Sequence, residues 1–323
     1  MKLTIPALAA VMAILPLQAF GQTSLYVPTR SMADQGIDLG SWGSGRVAEA
    51  DEFAFEGTSS IRISTRNFFQ GGIISLTDPV NLSDAYEDPS NLLQLVIKVP
   101  DASTTFGGGN RGPGAGGIEG LGGPGGPGGG PAMGPAGMGG PGGGPTGGGG
   151  TSTDRPPLQE LRVIVATTDG LKSEAFLNIE DIPVDNRGWK RVGVPLRGLR
   201  GFDRTNKEIE SVWIAGGSTA TMYIGQMQVN SDATPIYGEP NVRELNLALS
   251  DEVILSMNAF AGSSVLEYEW DFDAEDGINV DATGQVVRRK FRKPGEYTIT
   301  VTVKDAFGVK EPYSTTIDVT VNP

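Results

Sequence analysis

Alternation of apolar and polar side chains dominates the last third of the chain. From Leu266 to Asp273, Leu266, Tyr268, Trp270 and Phe272 fall on one side and Glu267, Glu269, Asp271 and Asp273 on the other. That period of two marks a half-buried strand. Tyr297, Ile299, Val301 and Val303 oppose Thr298, Thr300 and Thr302 in the same way, and Ile317, Val319 and Val321 alternate with Thr316, Asp318 and Thr320. With Val253 to Met257 and Gln285 to Phe291, these segments predict an immunoglobulin-like sandwich of roughly seven strands.

Upstream, the apolar runs Leu92 to Val99 and Leu158 to Val165 read as strands, as do Ser60 to Thr65, Gly72 to Leu76, Trp189 to Leu196, Glu210 to Ala215 and Thr221 to Val229. Turn residues separate them and none shows a helical period, which points to a sandwich or jelly roll. Between the first two runs lies a tract of Gly and Pro from Phe106 to about Gly150. It has too little apolar surface to offset the entropy of ordering, so it is expected to be disordered. Glycine recurs at every third position in short, out-of-register stretches, whereas collagen needs that period sustained. Loop-closure cost grows only logarithmically with length, so residues 106–157 read as an insertion in one domain rather than a linker between two.

Two resemblances follow from these residues. Trp270-Asp271-Phe272 and Pro294-Gly295-Glu296-Tyr297 resemble the two motifs of the polycystic-kidney-disease (PKD) domain, over about Asn241 to Val321. The family's tight turn is expanded here to Asp273-Ala274-Glu275-Asp276-Gly277, and Arg289-Lys290-Phe291 stands where the family has His-x-Tyr. The resemblance implies an extracellular module that contacts protein or carbohydrate, or acts as a spacer. The order of Glu56 to Ile63, Gly72 to Leu76, Asp78 to Ser83, Gly188 to Leu196 and Met222 to Val229 is similar to the jelly-roll carbohydrate-binding-module and galactose-binding-like superfold. These are loose patterns, and they imply a fold rather than a ligand.

At the N-terminus, Lys2, the apolar run Ile5 to Leu17 and Ala19-Phe20-Gly21 predict a cleaved leader over residues 1–21. The run is too short to span a membrane comfortably. The mature protein is therefore expected to be secreted, periplasmic or at the cell surface, without membrane insertion. Its organisation reads as a jelly-roll-like domain at 22–232, a connector at 233–240 and a PKD-like domain at 241–323.

Charge and chemistry narrow the function. The net charge is -13, which disfavours nucleic acid as a partner. The chain has no Cys and no His, excluding Ser-His-Asp triads, thiolate nucleophiles and imidazole or thiolate metal sites. No carboxylate pair stands out as a glycosidase acid and base.

Three sets of candidate residues remain. Trp42, Trp213 and Tyr223 are the aromatics chosen as a sugar-stacking platform, from a wider group with Phe68, Phe69 and Trp189. Trp42, flanked by Gly40 and Gly43, is placed in a loop; Trp213 should point opposite to Val212 and Ile214. Asp271, Asp273, Glu275 and Asp276 form a candidate oxygen-ligated Ca²⁺ site, with Asp281 nearby. Their spacing departs from an EF-hand, and turn capping by the carboxylates is the favoured alternative. Arg288, Arg289, Lys290, Arg292 and Lys293 could hold an acidic polymer, but cross-strand pairing of Arg288 and Lys290 with Glu267 and Glu269 is the preferred reading.

The sequence thus predicts an all-β, exported, non-catalytic binding or adhesion protein needing no cofactor. Its partner would be a polysaccharide or a surface or matrix protein; a structural component without a sugar site is the alternative, followed by a carboxylate-based hydrolase.

Overall fold

The computed structural model describes residues 22–100, 158–277 and 279–323. The expected leader and the Gly/Pro-rich insertion at 106–157 lie outside the described residues.

The first part of the chain forms eleven strands: β1 (Thr23–Tyr26), β2 (Ile37–Trp42), β3 (Arg46–Ala50), β4 (Ser60–Thr65), β5 (Gly71–Asn81), β6 (Asn91–Lys98), β7 (Glu160–Thr167), β8 (Lys172–Asn178), β9 (Lys190–Pro195), β10 (Glu208–Gly216) and β11 (Ala220–Ser231). A short helix, α1 (Ser83–Glu87), joins β5 to β6. One sheet has the order β3-β4-β11-β6-β9, with β1 also on β11; the other has the order β2-β5-β10-β7-β8. All of these pairs are antiparallel, and the two sheets form a jelly-roll-like sandwich. Alternation drives the packing: Ile61, Ile63, Leu93, Leu95, Val163, Val165, Val212 and Ile214 turn inward to one core, and the residues between them turn outward.

β6 is buried on both faces, which explains its largely apolar sequence, and the buried Gln94 within it is hydrogen-bonded to Ser263 and Gln228. Its outward Val96 lies under Phe55, Trp189 and Tyr223 in a small satellite cluster. Gly225 permits that cover. It is the extra residue of a bulge in β11, between Ile224 and Gln226. A Cβ there would stand 2.4 Å from Phe55 Cβ and 2.8 Å from the Trp189 ring.

The second part contains β12 (Tyr237–Pro240), β13 (Glu244–Ala248), β14 (Glu252–Phe260), β15 (Leu266–Asp271), β16 (Ala282–Thr283), β17 (Val286–Lys290), β18 (Gly295–Asp305) and β19 (Tyr313–Asn322). The orders β12-β14-β17 and β13-β19-β18-β15-β16 make an immunoglobulin-like sandwich, in which β13 runs parallel to β19. Trp270 is fully buried at its centre, and its indole N–H donates to Gly284 O at 2.8 Å. Burial with the polar edge satisfied is the favourable placement for such a ring. Half of the expected connector is itself structured, because Tyr237 to Pro240 pairs with β14.

The two sandwiches meet through specific contacts. Val265, from the loop before β15, is buried in the first core, and Phe307 packs against that core. Ser263 O accepts from Gly193 N–H at 2.7 Å, Ser263 N–H donates to Asp232 Oδ2 at 2.6 Å, and the Gln94 amide donates to Ser263 Oγ. Beside this junction, Asp181, Val184, Trp189, Phe260 and Tyr268 line a cavity of about 180 Å³. Among the described residues, no helix is long and apolar enough to cross a membrane.

Candidate functional site

The outer face of the β2-β5-β10-β7-β8 sheet collects aromatic and charged side chains from four strands. Since Val212 and Ile214 belong to the core, Trp213 between them points outward, as its sequence position predicts. Trp42 is not in a loop: it ends β2, paired across Gly71, and faces outward beside Trp213. The two indoles meet edge to face with centroids 5.3 Å apart. Trp213 Nε1 donates to Ser211 Oγ at 2.9 Å, so its polar edge is satisfied and its ring is fixed.

Register extends the cluster across the sheet. Ala215 faces both Gly71 and Arg162, and Arg162 faces Phe176, so Trp42, Arg162 and Phe176 lie along one row. Arg162 Nε and Nη2 both donate to Glu174 Oε2, at 2.9 and 2.6 Å, and Nη1 donates to Phe68 O at 3.1 Å. With its hydrogen bonds directed in this way, the guanidinium sits 5.0 to 5.6 Å from the rings of Phe69, Trp42 and Phe176. Each contact is an attraction between the cation and a ring quadrupole. Phe68 meets Phe176 edge to face at 5.3 Å. Lys172 Nζ lies 3.7 Å over the Trp213 ring.

Phe69 is 67% exposed and Phe176 46%, whereas Trp42 and Trp213 are half-buried. Large rings left in water cost free energy unless something covers them. The face combines those rings with a rigid, planar ion pair. It can stack flat apolar surfaces and direct hydrogen bonds at their polar edges.

Tyr223 is elsewhere. It projects from β11 on the other sheet, 3% exposed, packed with Phe55, Val96 and Trp189 and edge to face with Phe53. Burial pushes its phenol pKa up, with Glu52 adding to the effect. Its faces are occupied, so it offers no stacking surface; Trp189, 3% exposed, is likewise covered.

In the second sandwich, the carboxylates proposed for calcium hold the turn. Asp271 Oδ1 accepts from Asp273 N–H at 3.0 Å, Asp273 Oδ1 from Glu275 N–H at 3.3 Å, and Asp281 Oδ2 from Phe272 N–H at 2.9 Å. The Asp276 side chain lies outside the described part of the structure. Among the described residues, no three acidic side chains converge as metal ligands. In the basic strand β17, Arg288 pairs with Glu252 of β14 at 3.7 Å, rather than with Glu267 or Glu269 of β15. The reason is topological: β15 lies in the opposite sheet, where Glu269 pairs with Lys304. Arg289 lies over the rings of Phe272 and Phe291.

Arg162, Lys172, Glu174 and Phe176 were not singled out from sequence. Lys172 to Asn178 does alternate, but its inward side is Ser173, Ala175 and Leu177, and its outward side carries the aromatic. The outward side is otherwise polar, with Lys172, Glu174 and Asn178, so Phe176 is the one local departure from the usual polarity of a half-buried strand.

Residues 243–321 match the family model of the PKD domain. No curated protein matches the chain. Solved structures similar to it include a nucleoside hydrolase-related hypothetical protein from Saccharophagus degradans associated with carbohydrate metabolism (14% identity, 29% of this chain and 26% of that chain, TM-score 0.25). The chain thus spans about a quarter of that protein's length. Another is the CBM22-1 xylan-binding domain from Paenibacillus barcinonensis Xyn10C (11% identity, 65% of this chain and 92% of that chain, TM-score 0.31). A third is the CBM22-1-CBM22-2 tandem of the same enzyme (9% identity, 95% of this chain and 86% of that chain, TM-score 0.33).

Proposed function

We propose that this protein is exported and binds polysaccharide, without catalysis, on the outer face of the β2-β5-β10-β7-β8 sheet. The observation that carries the reading is the grouping of exposed Phe69 and Phe176 with Trp42 and Trp213 around the Arg162–Glu174 ion pair. A pyranose ring presents an apolar C–H face, which suits an aromatic platform, and equatorial hydroxyls, which suit a guanidinium and a carboxylate. Trp42 on β2 and Phe176 on β8 bring their rings to within 5.5 and 5.6 Å of the Arg162 guanidinium, so the platform is compact and suits a short stretch of sugar rings.

The commitment of Glu174 to Arg162 supports binding over acid–base chemistry, because both guanidinium hydrogen bonds to it occupy the same carboxylate oxygen and fix the side chain in place. Residues 1–21 serve as the leader, 22–232 as the binding domain with its insertion at 106–157, and 241–323 as the PKD-like module. The match of that module to the PKD family supports an extracellular setting. A second reading, a protein-interaction component, is favoured by exposed Tyr237, Ile254, Phe260 and Val286 on the outer side of β12-β14-β17.

Affinity electrophoresis through gels containing soluble polysaccharides tests the proposal. Retardation by at least one polymer, diminished in Trp42→Ala and Trp213→Ala, is expected. Unretarded migration through every polymer would sink it and leave the protein-interaction reading.

A further inference from the structure

The aromatic face continues past the edge of its sheet. Arg200 N–H donates to Glu174 O at 2.8 Å and Glu174 N–H to Arg200 O at 3.3 Å, so the two residues form a cross-strand pair beside β8. Side chains of such a pair stand on the same side. Leu199 and Phe202, on either side of Arg200 and Gly201, turn into the core. Arg200 therefore stands on the outer face. Lys172, two residues before Glu174 on β8, is its diagonal neighbour, about 7–8 Å away at the backbone.

Neither cation is compensated. Glu174 is taken by Arg162, and among the described residues neither Lys172 nor Arg200 forms an ion pair. Two carboxylates of the adjoining turns, Asp169 and Glu208, are engaged elsewhere; Asp203 stands on the turn that follows Arg200. Asp169 accepts from the Thr167 hydroxyl and from Asn206 N–H, and Glu208 accepts from the Thr168 hydroxyl. The Asp169 hydrogen bonds lower its pKa, that from Thr167 most of all, so it stays ionised and in place. Lys172 rests instead on the Trp213 ring. Among the described residues, Lys172 and Arg200 thus place two cations without an ion-pair partner beside the aromatic platform, in a chain of net charge -13.

Building on the polysaccharide reading above, we infer that this face selects an anionic glycan, with carboxylate or sulfate groups held by Lys172 and Arg200 while a neighbouring ring stacks on exposed Phe176. A lysine and an arginine suit either anion, as both donate several N–H groups to charged oxygens.

The test uses the purified protein with three polymers at low ionic strength: polygalacturonate, dextran sulfate and neutral galactan. Association constants are measured by calorimetry for the parent, Lys172→Met and Arg200→Met. Both positions are exposed, and unchanged melting temperatures confirm folding. At least one charged polymer should bind about tenfold tighter than galactan, an advantage equivalent to about 1.4 kcal/mol, and lose most of that advantage in either variant and in high salt. Preference for polygalacturonate assigns a uronate, and preference for dextran sulfate a sulfate ester. Equal binding of neutral and charged polymers overturns this inference while leaving the polysaccharide reading standing. No binding to any of the three overturns this inference, and retardation by other polymers in the gel survey then decides the polysaccharide reading.

Discussion

Lys310 Nζ lies 3.4 Å from Asp232 Oδ1, with both side chains about nine-tenths buried where the two sandwiches meet. The same ammonium donates to Ala261 O at 2.8 Å. One cation thus ties the end of β11 to the loop that follows β14. Lys310→Met would leave Asp232 and Ala261 O short of a partner at a buried junction. Removing one partner of such a group costs about 1–3 kcal/mol. Thermal unfolding should show a lower melting temperature, or a first sandwich that unfolds separately from the second.

Asp232 also sets an acid limit. Burial alone would raise its pKa. The Ser263 and Thr234 hydrogen bonds and the Lys310 charge outweigh that and hold it below the usual carboxylate value. A depressed pKa contributes stability that is fully present above the unfolded value, near about 4, and is lost as pH falls through the folded value. Unfolding midpoints in denaturant should therefore fall in the parent as pH drops below about 4, and fall less steeply in Asp232→Asn. Parallel curves for the two proteins would refute the assignment.

Gly225 tests the packing of the satellite cluster. Ala at this bulge would force its methyl into Phe55 and the Trp189 ring. Overpacking of this kind costs about 1–3 kcal/mol. Gly225→Ala should lower the urea midpoint without changing the slope of the transition.

The carboxylates of the turn after β15 predict indifference to calcium. Asp271, Asp273 and Asp281 already accept backbone N–H groups, which satisfies them without a metal. The melting temperature should be the same with calcium as with a chelator. A rise of several degrees with calcium would show instead that the turn rearranges around an ion.

Much of this architecture was legible in the sequence, for identifiable reasons. β15, β18 and β19 bury mainly one face, so alternation such as Tyr268, Trp270 and Phe272 against Glu267 and Glu269 states both the strand and its inward side. β6 reads as an apolar run interrupted only by Gln94 from Leu92 to Ile97, because a satellite cluster covers its second face. Trp213 could be oriented from its neighbours. Trp42 could not, since Gly40 and Gly43 read as loop residues, and only pairing with the distant Gly71 makes that segment a strand. Tyr223 looked equivalent to Trp213, yet the loop carrying Phe53 and Phe55 folds over it. The Arg162–Glu174 pair depends on the register of β7 against β8, which no local pattern specifies. Half the candidate site was therefore hidden in long-range pairing.

Polysaccharide binding is proposed on the face formed by Trp42, Trp213, Phe69 and Phe176. The most direct measurement follows intrinsic tryptophan fluorescence as polymer is added, since Trp189 and Trp270 are buried and Trp42 and Trp213 lie on the face. Phe69→Ala with Phe176→Ala keeps both reporters and removes the exposed rings. A saturable spectral shift is expected in the parent, with a binding curve weakened by about tenfold or more in the double variant, the loss of about 1–3 kcal/mol from two stacking contacts. A shift of equal affinity in both proteins, or none in the parent with any polymer, would contradict it.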